Sequence, residues 1–118
     1  MIESYRDLEV WQTSIEEVEE IYRLVKVFPE DERFALTLQM RRAVISVPSN
    51  IAEGYGRNTR KEYLRHLAIA NGSLKEVETQ LIIAGRLGYV SRDDAAKAWS
   101  LLQSVGKMLT ALRKSPRS

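Results

Sequence analysis

The apolar residues Leu36, Met40, Val44, Val47, Ile51 and Tyr55 step along the chain by three and four, and the pattern keeps its phase through Pro48. Such spacing marks one face of a helix, yet a proline inside a helix removes an N–H donor and strains the preceding turn at a cost of about 3 kcal/mol. Two helices meeting at Pro48 would have no reason to share one register. A single helix over about residues 33–55, kinked at Pro48, satisfies both constraints. The proline leaves the carbonyl of Val44 without its usual donor, and Ser46, Ser49 and Asn50 are short polar side chains able to bond freed backbone groups. Asn50 followed by Glu53 also has the form of a capping box, which would restart the helix after the kink. Gly54 and Gly56 weaken the end of the segment, and Gly56 is placed to terminate it.

Three further segments show the same period. Leu8, Trp11, Ile15, Val18, Tyr22 and Val25 form an apolar stripe on a helix over about 8–27, with Asp7 as its N-cap, and Phe28-Pro29 closes it because the residue before a proline is pushed out of the helical region. Glu9, Glu16, Glu19, Glu20 and Lys26 take the other faces. Thr59-Arg60-Lys61-Glu62 is a capping box opening a helix over 60–86, whose apolar line runs Tyr63, Leu67, Ala70, Leu74, Val77, Leu81, Ala84. Asn71-Gly72-Ser73 lowers helix propensity in its middle, which suggests a close helix crossing there. Gly85 or Gly88 ends it. Ser91 caps a last helix over 92–114, with Asp93 and Asp94 in the first turn and Arg113, Lys114 and Arg117 around its C-terminus, each where the helix dipole favours it. Residues 115–118 are expected to fray. Four amphipathic helices on short loops predict an all-α, up-and-down four-helix bundle, one domain over 1–118, with a proline-kinked second helix.

Composition narrows the chemistry. The 118 residues include no cysteine, which removes disulfides, thiolate metal sites and thiol nucleophiles together. One histidine, His66, without an H-E-x-x-H or E-x-x-H partner, makes no transition-metal site. We read it as an ordinary polar-face residue. No cofactor motif and no catalytic set stands out, so neither a cofactor nor a metal is expected. The acidic first thirty residues do not resemble a signal peptide, and no apolar run approaches the ~18 residues of a membrane span. A soluble, cytoplasmic protein without membrane contact is expected.

The net charge is only +2, but it is unevenly spread: −4 over residues 1–29 and −1 over 30–56, against +3 over 57–90 and +4 over 91–118. Such asymmetry fits a basic binding face and equally an acidic first helix packed beside a basic last one. Arg41, Arg42, Arg57, Arg60, Lys61 and Arg65 form the main basic constellation. The last four lie near the turn between the second and third helices, with Tyr55 and Tyr63 nearby. Guanidinium and ammonium groups beside aromatic rings suit a phosphate backbone and unstacked bases. The plainer reading is a solvated turn with salt bridges to Glu53 and Glu62. Acidic pairs such as Glu17 with Glu20 and Asp93 with Asp94 read as solvated faces and helix N-terminal charges. Glu53 and Glu78, close to apolar stripes, read as half-buried carboxylates paired with an arginine or a backbone group. Arg60 and His66 have the loose R-x(4–6)-H spacing of the helical ribonucleases of the higher-eukaryote-and-prokaryote nucleotide-binding superfamily, although six helical residues set the two side chains about 120° apart.

The segments Y-R-D-L-E-V-W-Q (Tyr5 to Gln12), R-R-A-V-I-S-V-P-S-N-I-A-E-G-Y-G-R (Arg41 to Arg57), K-E-Y-L-R-H-L (Lys61 to Leu67), G-S-L-K-E-V-E-T-Q-L (Gly72 to Leu81) and L-G-Y (Leu87 to Tyr89) resemble the 23S ribosomal RNA intervening-sequence protein family over nearly the whole chain. The resemblance implies an up-and-down four-helix bundle that assembles into a five-membered ring, with members encoded in ribosomal RNA gene insertions and at other bacterial loci, and no established enzymatic activity. It also implies structural similarity to the accessory variability determinant of diversity-generating retroelements, a basic pentameric barrel that binds nucleic acid and a reverse transcriptase. In a ring, a kink at Pro48 would let a neighbouring subunit approach, and Arg41 and Arg42 would pair with the neighbour's acidic first helix. Three functions stay open: an oligomeric binder of nucleic acid or of a nucleoprotein partner, a structural or adaptor protein whose arginines build the oligomer, and a ribonuclease using Arg60 and His66.

Overall fold

The computed structural model describes residues 2–115. Its elements are α1 (Glu9–Val25), α2 (Leu36–Tyr55), α3 (Arg60–Arg86) and α4 (Arg92–Lys114), with short 3-10 turns at Tyr5–Asp7 and Glu30–Glu32. Among the described residues there is no strand. Each helix packs on its two neighbours in the cyclic order α1, α2, α3, α4, and no Cα pair across either diagonal comes within 8 Å. Joins at 56–59 and 87–91 are short enough to make neighbours antiparallel. The 27 residues of α3 span about 40 Å at 1.5 Å each, which accounts for most of the 45 Å long axis.

α2 is one helix that runs through Pro48, as its unbroken register requires. Asn50, however, does not restart it as a cap. It sits in mid-helix, and its amide Nδ2 donates back to the carbonyl and hydroxyl of Ser46 at 2.9 and 3.0 Å. α1 and α2 are shorter than their sequence patterns because residues 26–35 form an independent connection around the Glu30–Glu32 turn. Asp7 does not cap α1 either: its carboxylate accepts the backbone N–H groups of Glu3 and Ser4, closing a capping box on the preceding turn. Thr59 and Ser91 cap α3 and α4 as expected, accepting the N–H groups of Glu62 and Asp94. Gly88 ends α3 at φ 79°, with Gly88 N–H bonded to Gly85 O and Tyr89 N–H to Ala84 O. This is the Schellman arrangement, which needs a left-handed residue.

The core is built from fully buried aliphatic residues of all four helices, including Ile21 and Leu24 of α1, Met40, Val44 and Ile51 of α2, Leu67, Leu74 and Val77 of α3, and Leu102, Val105 and Leu109 of α4. α1 is rotated relative to its sequence pattern. Its inward line is Val10, Ser14, Glu17, Ile21 and Leu24, whereas Trp11, Ile15, Val18 and Tyr22 remain half-buried at the side of the bundle. Glu17 and Glu20, read as solvated, are therefore buried. The close helix approach expected at Gly72 lies elsewhere. A Cβ on Gly72 would meet nothing within 4 Å, but one on Gly54 would fall 2.9 Å from the Cβ of His66.

Candidate functional site

A polar seam runs between α2 and α3. Ser46, Asn50, Glu53 and Arg57 recur along the second helix and just past its end at steps of four, three and four, so they share the face turned toward α3. From α3, Ser73 Oγ donates to Ser46 Oγ at 2.8 Å. Asn50, held by Ser46, presents its Oδ1 at 3.1 Å to His66 Nδ1. On the other side of the ring, Arg57 Nε donates to His66 Nε2 at 3.3 Å. An Nε2 that accepts must be unprotonated, so Nδ1 carries the proton and donates to Asn50. Glu53 Oε2 stands 3.5 Å from the same Nδ1 and 3.8 Å from Arg57 Nη2. His66 is thus no polar-face residue: it is 5 % exposed and anchors the seam. Gly54 is what allows α3 to come this close.

The basic residues fall into two groups. Arg57, Arg60, Lys61 and Arg65 gather at the end of the bundle where α2 finishes and α3 begins. Arg60 reaches the C-terminus of α4, donating to the carbonyls of Arg113 and Ser115 at 3.3 and 3.1 Å, and so brings Arg113 and Lys114 to the same end. Carboxylates temper this cluster, Glu53 at 3.8 Å from Arg57 and Glu62 at 3.8 Å from Arg65. Of the two tyrosines expected as stacking platforms, Tyr63 is buried in the core and only Tyr55 is half-buried. Arg41 and Arg42 lie about 20 Å further along α2, at its 1.5 Å rise per residue, and do not join the cluster. Arg41 instead lies over the ring of Tyr22, 5.2 Å from its centroid.

An open apolar groove lies between α1 and α2, walled by Trp11, Ile15, Val18, Ile45 and Pro48 and reached by the exposed Ser49. A second groove lies on the opposite face, between α3 and α4, walled by Leu81, Ile82, Val90, Ala95 and Trp99 with Arg86 and Arg92 at its rim. Arg60 and His66 do not form a shared site: Arg60 is turned to α4, while His66 is buried against α2. Among the described residues no group of three or more histidines and carboxylates is placed to hold a metal, and no helix is long and apolar enough to cross a membrane.

Residues 6–111 match the 23S rRNA-intervening sequence protein family. The chain belongs to that family. A solved relative, a protein of unknown function from the S23 ribosomal protein family of Bacteroides thetaiotaomicron, superposes with a TM-score of 0.82 at 25% identity, covering 90% of this chain and 99% of its own. No curated protein matches the chain. In this intervening-sequence family member, the segment around Pro48 has a concrete structural content: Ser46, Asn50, Glu53 and Gly54 of α2, with Arg57 just past its end, face α3 across the seam. The seam was not read from the sequence, although Ser46, Asn50, Glu53 and Arg57 at steps of four, three and four were the signal that could have found it. His66 carried no such signal, because nothing in its own neighbourhood in sequence shows that α3 turns it inward.

Proposed function

We propose that this protein is a non-enzymatic, homo-oligomeric helical bundle that binds nucleic acid, or a nucleoprotein partner, in the cytoplasm, through the basic end formed by Arg57, Arg60, Lys61 and Arg65. The observation that carries this reading is the convergence of those residues with Arg113 and Lys114 of α4, tied together by Arg60. Cations grouped at one end of a rod-shaped molecule can follow successive phosphates, and a symmetric assembly multiplies a weak patch into an avid one. The analogy with the accessory variability determinant of diversity-generating retroelements supports the same reading at the level of fold, and the family resemblance suggests five subunits.

A second reading, an adaptor whose charged residues build the oligomer, is favoured by a different observation. The most regular apolar stripe of α1 is only half-buried at the side of the bundle and walls an open groove with Ile45 and Pro48, and Arg41 lies over the Tyr22 ring of the same stripe. Both readings need an oligomer and differ in its ligand. Native mass spectrometry of the protein with a short RNA hairpin and a DNA duplex separates them. An oligomer carrying nucleic acid supports the first, a bare oligomer at low salt supports the second, and a monomer overturns both.

A further inference from the structure

We propose that His66 is a positioning residue for Arg57, and that the chain of hydrogen bonds from Ser73 through Ser46, Asn50 and His66 aims the Arg57 guanidinium at the ligand of the basic end. The inference rests on the nucleic-acid reading only for what Arg57 meets; the positioning itself rests on the seam. Arg57 follows α2 by two residues, in a connection that no helix holds, and its side chain is 49 % exposed. An arginine in such a place ordinarily samples many rotamers, and ordering it on a ligand costs free energy. Here one of its donors is already committed. Nε points inward to His66 Nε2 at 3.3 Å, and Nη2 lies 3.8 Å from Glu53. With Nε tethered to the buried His66, the plane of the guanidinium is restrained while the side chain stays half exposed at the basic end, and a planar guanidinium held in one orientation is what phosphate recognition uses.

The tether works only if His66 offers an unprotonated Nε2, and the rest of the chain supplies that. Asn50 Oδ1 accepts the hydrogen bond from Nδ1–H and so holds the proton on that nitrogen. Asn50 cannot turn its amide around, because Nδ2 is bonded to both oxygens of Ser46, and Ser46 Oγ is held in turn by Ser73. Each member thus fixes the orientation of the next, from the middle of α3 to the exposed end of the bundle. A histidine placed only to fill space between helices would need no particular tautomer and no arginine on its far nitrogen.

The test uses the full chain with His66→Gln and His66→Phe, the first keeping an acceptor and the second removing it. Two readouts are taken: the NMR signal of the Arg57 Nε–H, assigned with Arg57→Lys, and anisotropy of a labelled RNA hairpin. The wild type and His66→Gln are expected to show a solvent-protected Nε–H. His66→Phe is expected to lose it and to weaken RNA binding about tenfold, as much as Arg57→Gln does, with no further loss when the two are combined. Ser46→Ala, which loosens Asn50 from a distance, is expected to act in the same direction and serves if His66→Phe does not fold. An unprotected Nε–H in the wild type, or a His66→Phe loss that persists in the Arg57→Gln background, overturns the positioning role. A protected Nε–H in a protein that binds no RNA leaves the tether standing and overturns the nucleic-acid reading alone.

Discussion

Glu17 occupies a core position of α1, 2 % exposed, and neither of its carboxyl oxygens has a hydrogen-bond partner. Burial, reinforced by the nearby Glu20 charge, pushes its pKa from 4.5 up to about 9. In the folded chain it therefore stays protonated at neutral pH, whereas in the unfolded chain it ionises above about 4.5. Folding takes up a proton between those values, so this contribution to stability is complete below about pH 4.5. It is lost as pH rises toward 9, at no more than about 1.4 kcal/mol per pH unit. Glu17→Leu removes the buried acid and is expected to stabilise the protein, with a larger gain at pH 8.5 than at pH 5 in urea melts. A gain independent of pH would mean that Glu17 is already ionised in the fold. Two glycines give opposite expectations. Gly54→Ala, whose Cβ would fall 2.9 Å from His66 Cβ, should lose about 1–3 kcal/mol by overpacking. Gly72→Ala, with open space around it, should gain about 1 kcal/mol of helix propensity. Equal effects in thermal melts would contradict the close approach at Gly54.

At the level of elements, helix periods carried most of the fold. α3 and α4 begin and end where their caps and apolar lines placed them, because Thr59, Ser91 and Gly88 act locally, within one turn. What periodicity could not reveal is which of two stripes faces inward. On α1 the longer apolar stripe, Trp11 to Tyr22, lies beside the core, and the core line accepts Ser14 and Glu17 instead. Hydrophobicity ranks a helix face by composition, whereas the bundle ranks it by the space left between α2 and α4. The same gap hid the seam: Ser46 and Asn50 were read as repairs to the backbone at Pro48, yet they contact Ser73 and His66 of α3, 27 and 16 residues away. A half-buried apolar stripe beside an open groove is expected to be covered. Ile45→Asp, at a groove residue that is 43 % exposed, should dissociate the proposed oligomer in sedimentation velocity while leaving helicity unchanged. An assembly indifferent to this charge would place the subunit contact elsewhere.

Over the whole molecule, basic residues from three segments meet at one end of the long axis: Arg57, Arg60, Lys61, Arg65, Arg113 and Lys114, with Glu9, Glu53 and Glu62 among them. The far end mixes the acidic Glu30–Glu32 turn and the Asp93-Asp94 start of α4 with Arg33, Arg86 and Arg92, and Arg23 pairs with Glu20 and reaches the carbonyl of Asp94. A small net charge therefore coexists with a local cluster of cations. The most direct measurement is anisotropy of a labelled structured RNA and a DNA duplex across a salt series, for the wild type and for Lys61→Glu/Arg65→Glu/Lys114→Glu, three exposed substitutions that spare the seam and the Arg60 contact. We expect affinity to fall linearly in log salt for the wild type, with a slope of about 0.7 to 0.9 for each phosphate contacted, and a clearly shallower slope for the triple variant. No binding by the oligomeric wild type even at low salt, or an unchanged slope in the variant, would contradict a nucleic-acid interface at this end of the bundle.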